Sequence, residues 1–273
     1  MIFFPNAKIN IGLNIVKKRP DGYHNIKSLM YPIPLRDVLE IRPNSGSKTN
    51  FIQTGLDLGM GKTEDNLVMK AYHLVKMNFP SMPNLDIHLH KVIPSQAGLG
   101  GGSSDAAYAL RLMNRVLALN LSDEQLFGYA SQIGSDCPFF LQDEPKYVTG
   151  CGNIFNDTDV NLSGWWLSLV KSPQGISTKE AYANVIPRLS RVRYDKMYDI
   201  KWWRPRLRND FELYAFRKYP LLKRYKELLY AKGAKFASMS GSGTCLYALS
   251  EEKLDLADFK HYRNTFLWQH KLR

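Results

Sequence analysis

Residues 85–119, "LDIHLHKVIPSQAGLGGGSSDAAYALRLMNRVLAL", run from an alternating apolar segment through a proline, a glycine cluster and two serines into a helical pattern. Glycines let another group approach the backbone closely, because no Cβ stands in the way. The first turn of a helix leaves N–H groups without intrahelical partners and carries partial positive charge. Strand, glycine loop and helix N-terminus in that order make an anion site, with phosphate the first candidate. The residues alone also fit a tight turn whose glycines serve packing only. The helix cap is expected at Ser103 or Ser104, whose hydroxyls add donors and could reach a phosphate-bound Mg2+.

Two familiar nucleotide patterns do not fit. "GLDLGMGKT", residues 55–63, ends like a Walker loop, but the glycine required five residues before Gly61 is replaced by Leu56, and Gly55 stands one residue too early. The dinucleotide fingerprint finds Gly98 and Gly100 but meets Ser103 at its third glycine, and no acidic residue ends a strand at the required distance.

The remainder of the chain mixes strands and helices. "AKINIGLNI", residues 7–15, alternates strictly and reads as a half-buried strand with Lys8, Asn10 and Asn14 on its polar face. "RPDGYHNI" is a turn set by Pro-Asp-Gly, with strands following around "IKSLMYPI" and "DVLEIRP". "DNLVMKAYHLVKMNF" has helical spacing capped by Asp65 or Asn66, and "SDEQLFGYASQIG" begins a helix at Ser122. "YVTGCGNIF" and "GWWLSLVKS" return to strand character, and a domain change is placed near residue 155. Beyond it come a short helix "TKEAYANVI", a longer one "LLKRYKELLYAKG" ending at Gly233, strand-turn-strand "AKFASMSGSGTCLYAL", and a last helix from Glu251. Without regular βα alternation the class is α+β.

Composition excludes several function classes. With 44% aliphatic and aromatic residues and 23% charged in 273 residues, the chain has material for a sizeable core. "LSGWWLSLV" is far short of the roughly 20 apolar residues a membrane span needs, and "MIFFPNAKIN" shows no basic leader, so a cytoplasmic protein without a membrane partner is expected. Cys137, Cys151 and Cys245 are widely spaced and read as reduced thiols. The net charge of +12 favours an anionic partner, which a phosphorylated small molecule satisfies as well as nucleic acid does. Basic residues interleave with Tyr and Trp in "RLSRVRYDKMYDIKWWRPRLR", a pattern also shared by solvated helical faces. "SMSGSGTC", residues 238–245, offers a second glycine turn able to meet a polyphosphate.

"PNAKINIGLNI", "PSQAGLGGGSSDAA" and "SMSGSGTCLYA" resemble, in order and spacing, the three motifs of the GHMP kinases, the galacto-, homoserine, mevalonate and phosphomevalonate kinases. "DGYH", "EDNL" at 64–67 and "IGSDCPFF" at 133–140 are similar to the branch acting on a cytidine-diphosphate-linked methylerythritol. The resemblance implies a GHMP kinase fold, with an N-terminal domain (1–155) like ribosomal protein S5 domain 2 and a ferredoxin-like α/β C-terminal domain (156–273). It further implies transfer of the γ-phosphoryl of ATP to the 2-hydroxyl of that substrate in the non-mevalonate isoprenoid pathway, with Mg2+ as companion ion and no nucleic-acid partner. A mevalonate or homoserine kinase, or more distantly an RNA-binding protein of S5-like fold, would share some of these features. The pattern specifies no oligomeric state.

Phosphoryl transfer asks for positioning, charge neutralisation and a group for the hydroxyl proton. The resemblance assigns charge stabilisation to Lys8 and the proton, or orientation of the hydroxyl, to Asp136. It wraps the ATP phosphates in Pro94, Ser95, Gln96, Ala97, Gly98, Leu99, Gly100, Gly101, Gly102, Ser103 and Ser104. It gives substrate contact to Asn10, Tyr23, His24, Asn66, Tyr182 and the turn Gly241, Ser242 and Gly243, with His24 reading the cytosine edge and Tyr182 stacking on the ring. Asp105 departs from the pattern, because asparagine is expected there; its carboxylate would either help hold Mg2+ or support the helix. The metal ligands stay unassigned.

Overall fold

A computed structural model describes residues 1–56, 63–197 and 199–273; most of the near-Walker segment, residues 57–62, lies outside the described residues. In chain order the elements are β1 (Ile2–Phe3), β2 (Asn6–Lys18), β3 (His24–Arg36), β4 (Val38–Asn44), β5 (Asn50–Gly55), α1 (Leu67–Asn78), β6 (Asn84–Lys91), α2 (Gly101–Val116), α3 (Asp123–Ile133) and α4 (Phe139–Gln142). They continue with β7 (Lys146–Thr149), β8 (Ile154–Asn156), β9 (Trp166–Lys171), α5 (Thr178–Asn184), α6 (Trp203–Arg206), α7 (Glu212–Lys218), α8 (Pro220–Ala231), β10 (Phe236–Met239), β11 (Cys245–Ser250) and β12 (Phe266–Lys271). The chain forms two compact units, and it passes between them more than once.

The first unit comprises residues 1–7, 35–95 and 100–144. Its sheet has the order β1-β4-β6-β5. β4 runs antiparallel to β6, whereas β5 runs parallel to it, with α1 as the crossover that a parallel pair requires. Alternation in β6 buries Leu85, Ile87 and Leu89 and leaves His88 and His90 exposed. That apolar face packs with Val68, Ala71 and Val75 of α1 and with Ala106, Ala109, Leu110 and Met113 of α2, so the period-2 and period-3.6 patterns bury one core together. Ser122 caps α3 in a capping box completed by Gln125.

The second unit comprises residues 8–34, 96–99 and 145–273 and holds two sheets, β2-β3-β7-β8 and β10-β11-β9-β12. The second sheet is antiparallel at every pairing. Taking β9, β10, β11 and β12 as strands one to four, its order is 4-1-3-2, the ferredoxin-like arrangement. Phe211, Ala215, Leu222, Tyr225 and Leu229 pack against Val170, Met239 and Leu246 to form its core.

Several expectations need correction. The polar face of β2 is buried along with the apolar one, and Lys8 is only 2% exposed. Its polar groups are satisfied inside the unit: Asn10 Nδ2 donates to Ser28 Oγ at 2.9 Å, and Asn14 Oδ1 accepts from Tyr194 at 3.0 Å. α2 begins at Gly101, capped by Gly100 in the left-handed region, so Ser103 and Ser104 lie inside its first turn. No last helix starts at Glu251. A 3-10 turn at Ala257–His261 precedes strand β12, because the outer edge of β9 is paired by Phe266–Lys271, and sheet pairing outweighs local propensity. Within the basic segment 188–208 not every side chain is solvated: Tyr194 and Trp203 are buried, and the Arg204 guanidinium sits 4.2 Å from the Tyr230 ring centroid.

Ser122→Ala removes the cap of α3 and is expected to lower stability by about 1 kcal/mol, read as a shift of the urea midpoint without change of slope.

Candidate functional site

Within the second unit the first strand and both glycine segments meet. The Lys8 backbone N–H donates to the Leu99 carbonyl at 2.9 Å, and Lys8 Nζ donates to the Gly98 carbonyl at 3.0 Å and to Asn10 Oδ1. Asn10 N donates to Ser240 Oγ at 3.2 Å, and that hydroxyl donates onward to the Gly98 carbonyl at 2.8 Å. The N–H groups of Thr244 and Cys245 donate to the carbonyls of Gln96 and Ala97, both at 3.3 Å.

Such closeness requires glycine. Gly98 has φ +74°, and a Cβ there would lie 1.8 Å from the Ser240 carbonyl oxygen; a Cβ on Gly243 would lie 2.2 Å from the Gly98 nitrogen. Both collisions are with backbone, which no rotamer change relieves. The serine-glycine turn and the glycine loop are therefore one packed object, with the Lys8 ammonium bound to it.

The residues matched to cytidine recognition also lie in this unit. His24 is buried, and its ring centroid is 5.1 Å from that of Tyr182 at an interplanar angle of 32°. Tyr182 in turn meets Phe211 edge-on at 4.9 Å. Burial, assisted by Lys18, lowers the His24 pKa, so the ring is neutral at pH 7 and offers one donor and one acceptor. Tyr23 is 64% exposed beside this pair in sequence, and Ser242 Oγ donates to Thr178 Oγ1 at 3.2 Å.

The first unit holds the other candidates. Asn66 caps α1 by accepting from Val68 N at 2.9 Å and donates to Gln53 Oε1 at 3.2 Å, so its side chain already has structural work. Asp136 is half-buried in the turn between α3 and α4. Pro94 and Ser95 leave β6, and Gly100 to Ser104 form the cap and first turn of α2. The Ser104 hydroxyl is buried there with no hydrogen-bond partner.

Asp105 belongs to a buried charge cluster that the sequence reading missed. Lys91 Nζ donates to Asp105 Oδ2 at 2.6 Å and to Asp37 Oδ2. Asp37 Oδ1 accepts the N–H groups of Val92 at 2.6 Å and Ile93 at 2.8 Å. The cluster joins the exit of β6, the start of β4 and the second turn of α2, and so brackets the glycine loop at two chain positions. A signal was present: in "LDIHLHK" Lys91 falls in phase with Leu85, Ile87 and Leu89, a core position. Burial raises the Asp105 pKa from 3.8 to about 8, with Lys91 opposing and Asp37 adding to the rise. Burial alone would lower Lys91, but the two carboxylates outweigh it and raise its pKa. Asp105 Oδ2 is thus committed to Lys91, whereas its Oδ1, like the Ser104 hydroxyl, is buried with no hydrogen-bond partner. Among the described residues no group of three or more His, Cys, Asp or Glu side chains could hold a metal ion.

Three outcomes follow from this geometry. Gly98→Ala should lose the native packing of the loop against the Ser240 turn, seen as a lowered melting temperature. Lys91→Met leaves two carboxylates buried without their cation and should cost about 3–5 kcal/mol in denaturant unfolding. For Asp105 the folded pKa lies above the unfolded one, so its unfavourable contribution is absent below pH 3.8 and grows as pH rises to about 8. Asp105→Asn should therefore melt higher than the parent at pH 8, with the difference vanishing towards pH 4.

The family profile "GHMP kinases N terminal domain" matches residues 66–144, and "GHMP kinases C terminal" matches residues 197–266. The chain is 46% identical over 266 residues to 4-diphosphocytidyl-2-C-methyl-D-erythritol kinase of Bacteroides fragilis, covering 95% of this chain and 96% of that one. It is 44% identical over 274 residues to the Parabacteroides distasonis protein of the same name, with both chains covered completely. A crystal structure of 4-(cytidine 5'-diphospho)-2C-methyl-D-erythritol kinase superposes with a TM-score of 0.78 at 27% identity, covering 98% of each chain. With both domain profiles in order and relatives matched end to end, this chain belongs to the GHMP kinases, within the 4-diphosphocytidyl-2-C-methyl-D-erythritol kinase branch.

Proposed function

We propose that this protein is an ATP-dependent kinase that phosphorylates the 2-hydroxyl of 4-diphosphocytidyl-2-C-methyl-D-erythritol in non-mevalonate isoprenoid precursor synthesis. The observation that carries the reading is the Lys8 ammonium bound to the Gly98 carbonyl, which ties the first family motif to the glycine loop without a Walker lysine. The family profiles and the full-length relatives support it at the level of the reaction.

In this reading residues 94–104 hold the ATP phosphates through backbone N–H groups and the helix N-terminus. Lys8 stabilises charge that develops during transfer, and Asp136 takes or orients the proton of the attacking hydroxyl. Asn10 contacts the sugar-alcohol end. The neutral His24 ring reads the cytosine edge, with Tyr182 stacking and Tyr23 flanking. Gly241, Ser242 and Gly243 meet the substrate's diphosphate, and Asn66 contributes beyond its capping bond. Mg2+ fits the first turn of α2, where the orphaned Ser104 hydroxyl is an oxygen of the type this ion accepts alongside phosphate oxygens. When bound it would neutralise charge on the β- and γ-phosphates. The domain division falls near residue 155. The reading places the protein in the cytoplasm with small-molecule partners only; no helix among the described residues is long and apolar enough to cross a membrane.

The test is phosphate transfer from ATP to the cytidylated substrate, compared with mevalonate and homoserine. Transfer to the first alone is expected, and transfer to either of the others in its place would overturn the substrate. Lys8→Ala and Asp136→Asn should each lower kcat by about 10²–10⁴-fold while ATP binding remains measurable by calorimetry. Turnover at the parental rate in either variant would remove the role assigned to that residue.

A further inference from the structure

Four consecutive residues of the second unit, Asn209 to Glu212, hold three different parts of the candidate site. β2 is an edge strand in its sheet, and the outward N–H groups of Leu13 and Ile15 need partners. Leu13 N donates to the Arg208 carbonyl at 2.9 Å, Asp210 N donates back to the Leu13 carbonyl at 2.8 Å, and Ile15 N donates to Asp210 Oδ2 at 2.8 Å. The segment thus closes the edge of the strand that carries Lys8 and Asn10.

Asn209 is buried, and its Nδ2 donates to the carbonyls of Met239 at 2.8 Å and Gly241 at 2.7 Å, while its Oδ1 accepts from Phe211 N at 3.0 Å. The two carbonyls flank Ser240, so a single amide group sets the backbone course into the Gly241–Gly243 turn. Glu212 Oε1 accepts from Met239 N at 2.8 Å and Ser238 Oγ at 3.0 Å, and its Oε2 is held by Lys226 at 2.7 Å. Phe211 turns the other way and supplies the edge against which Tyr182 rests. Tyr182 and His24 are the ring pair described above.

We infer that Asn209–Glu212 is a shared positioning element of the substrate site: Asn209 and Glu212 set the glycine turn for the diphosphate, and Phe211 sets the Tyr182–His24 pair for the cytosine. This rests on the proposed assignment of turn and ring pair to the cytidine diphosphate moiety. None of the four residues is a catalytic residue; each acts through another group. A buried amide that serves two carbonyls is worth more than a surface hydrogen bond, because its loss leaves both acceptors without a partner in a low-dielectric setting.

The experiment measures the affinities of CDP and of cytidine by calorimetry on the parent, Asn209→Asp and Phe211→Leu, below their melting temperatures. Asn209→Asp keeps the shape but turns an oxygen towards the two carbonyls, and should weaken CDP about tenfold while leaving cytidine nearly unchanged. Phe211→Leu should weaken both ligands by the same factor. Ser238→Ala, a milder change, removes one donor to Glu212 and should weaken CDP about threefold; it carries the test if Asn209→Asp does not fold. An unchanged CDP-to-cytidine affinity ratio in the variants at the turn, or lowered melting temperatures with parental affinities in all three variants, would overturn the inference. Phosphate transfer by the parent is assayed in parallel. If transfer fails while CDP binds and the variants shift it as described, the kinase reading falls and the inference stands. If transfer succeeds and the shifts are missing, or the parent does not bind CDP, the inference alone falls.

Discussion

The carbonyl oxygen of Gly98 accepts from the Lys8 ammonium and from the Ser240 hydroxyl, and much of the second unit is arranged so that those donors can reach it. Reaching it demands that two backbone segments pass closer than any side chain allows, which explains glycine at 98 and 243. It also demands that β2 bury a lysine, an expensive act unless the ammonium is fully engaged. Asn10 meets that need from the same strand, two residues on, where period 2 places it on the same face. The glycine loop has no lysine of its own; the Lys8 ammonium bound at Gly98 comes from β2, so loop and cation are brought together by folding and are not contiguous in the chain.

The first unit meets a comparable demand with charge. Lys91 occupies a core position of β6, and two carboxylates, Asp37 and Asp105, hold it there. A cluster of one cation and two buried carboxylates is not a source of stability in itself, because desolvation offsets most of the attraction. What it supplies is geometry: the strand exit at Val92 and Ile93 and the N-terminal half of α2, through Asp105, are bonded to one group of charges. Asp105 therefore supports Lys91 at a position where asparagine is expected. Burial raises the Asp105 pKa, and the Lys91 ammonium opposes that rise.

The α+β class and most elements were legible from alternation, helical spacing and caps, and the ferredoxin-like half from the resemblance to the GHMP kinases. Where the reading failed, long-range pairing had overridden local pattern. β12 was taken for a helix because nothing within Glu251–Arg273 reveals that the edge of β9 lies open beside it. The Asn209–Glu212 segment carried no periodic signal, since its side chains serve three separate segments, at Ile15, Met239 and Tyr182. Ser103 and Ser104 were placed at a cap because serine favours caps, but a left-handed Gly100 had already turned the chain into the helix.

Taken alone, the amino-acid sequence determined the motifs, their order and the family, because glycine runs, a strict alternation and the "DGYH" and "IGSDCPFF" segments are local chemistry that survives without coordinates. The tertiary structure decided which polar residues are buried and what each one holds: Lys8 on the Gly98 carbonyl, Asp105 on Lys91, and Asn209 on the carbonyls of Met239 and Gly241. The reason is physical. A residue's type limits the bonds it can make, but its partner is set by which distant segment arrives beside it, and a buried polar group must accept whatever partner packing brings.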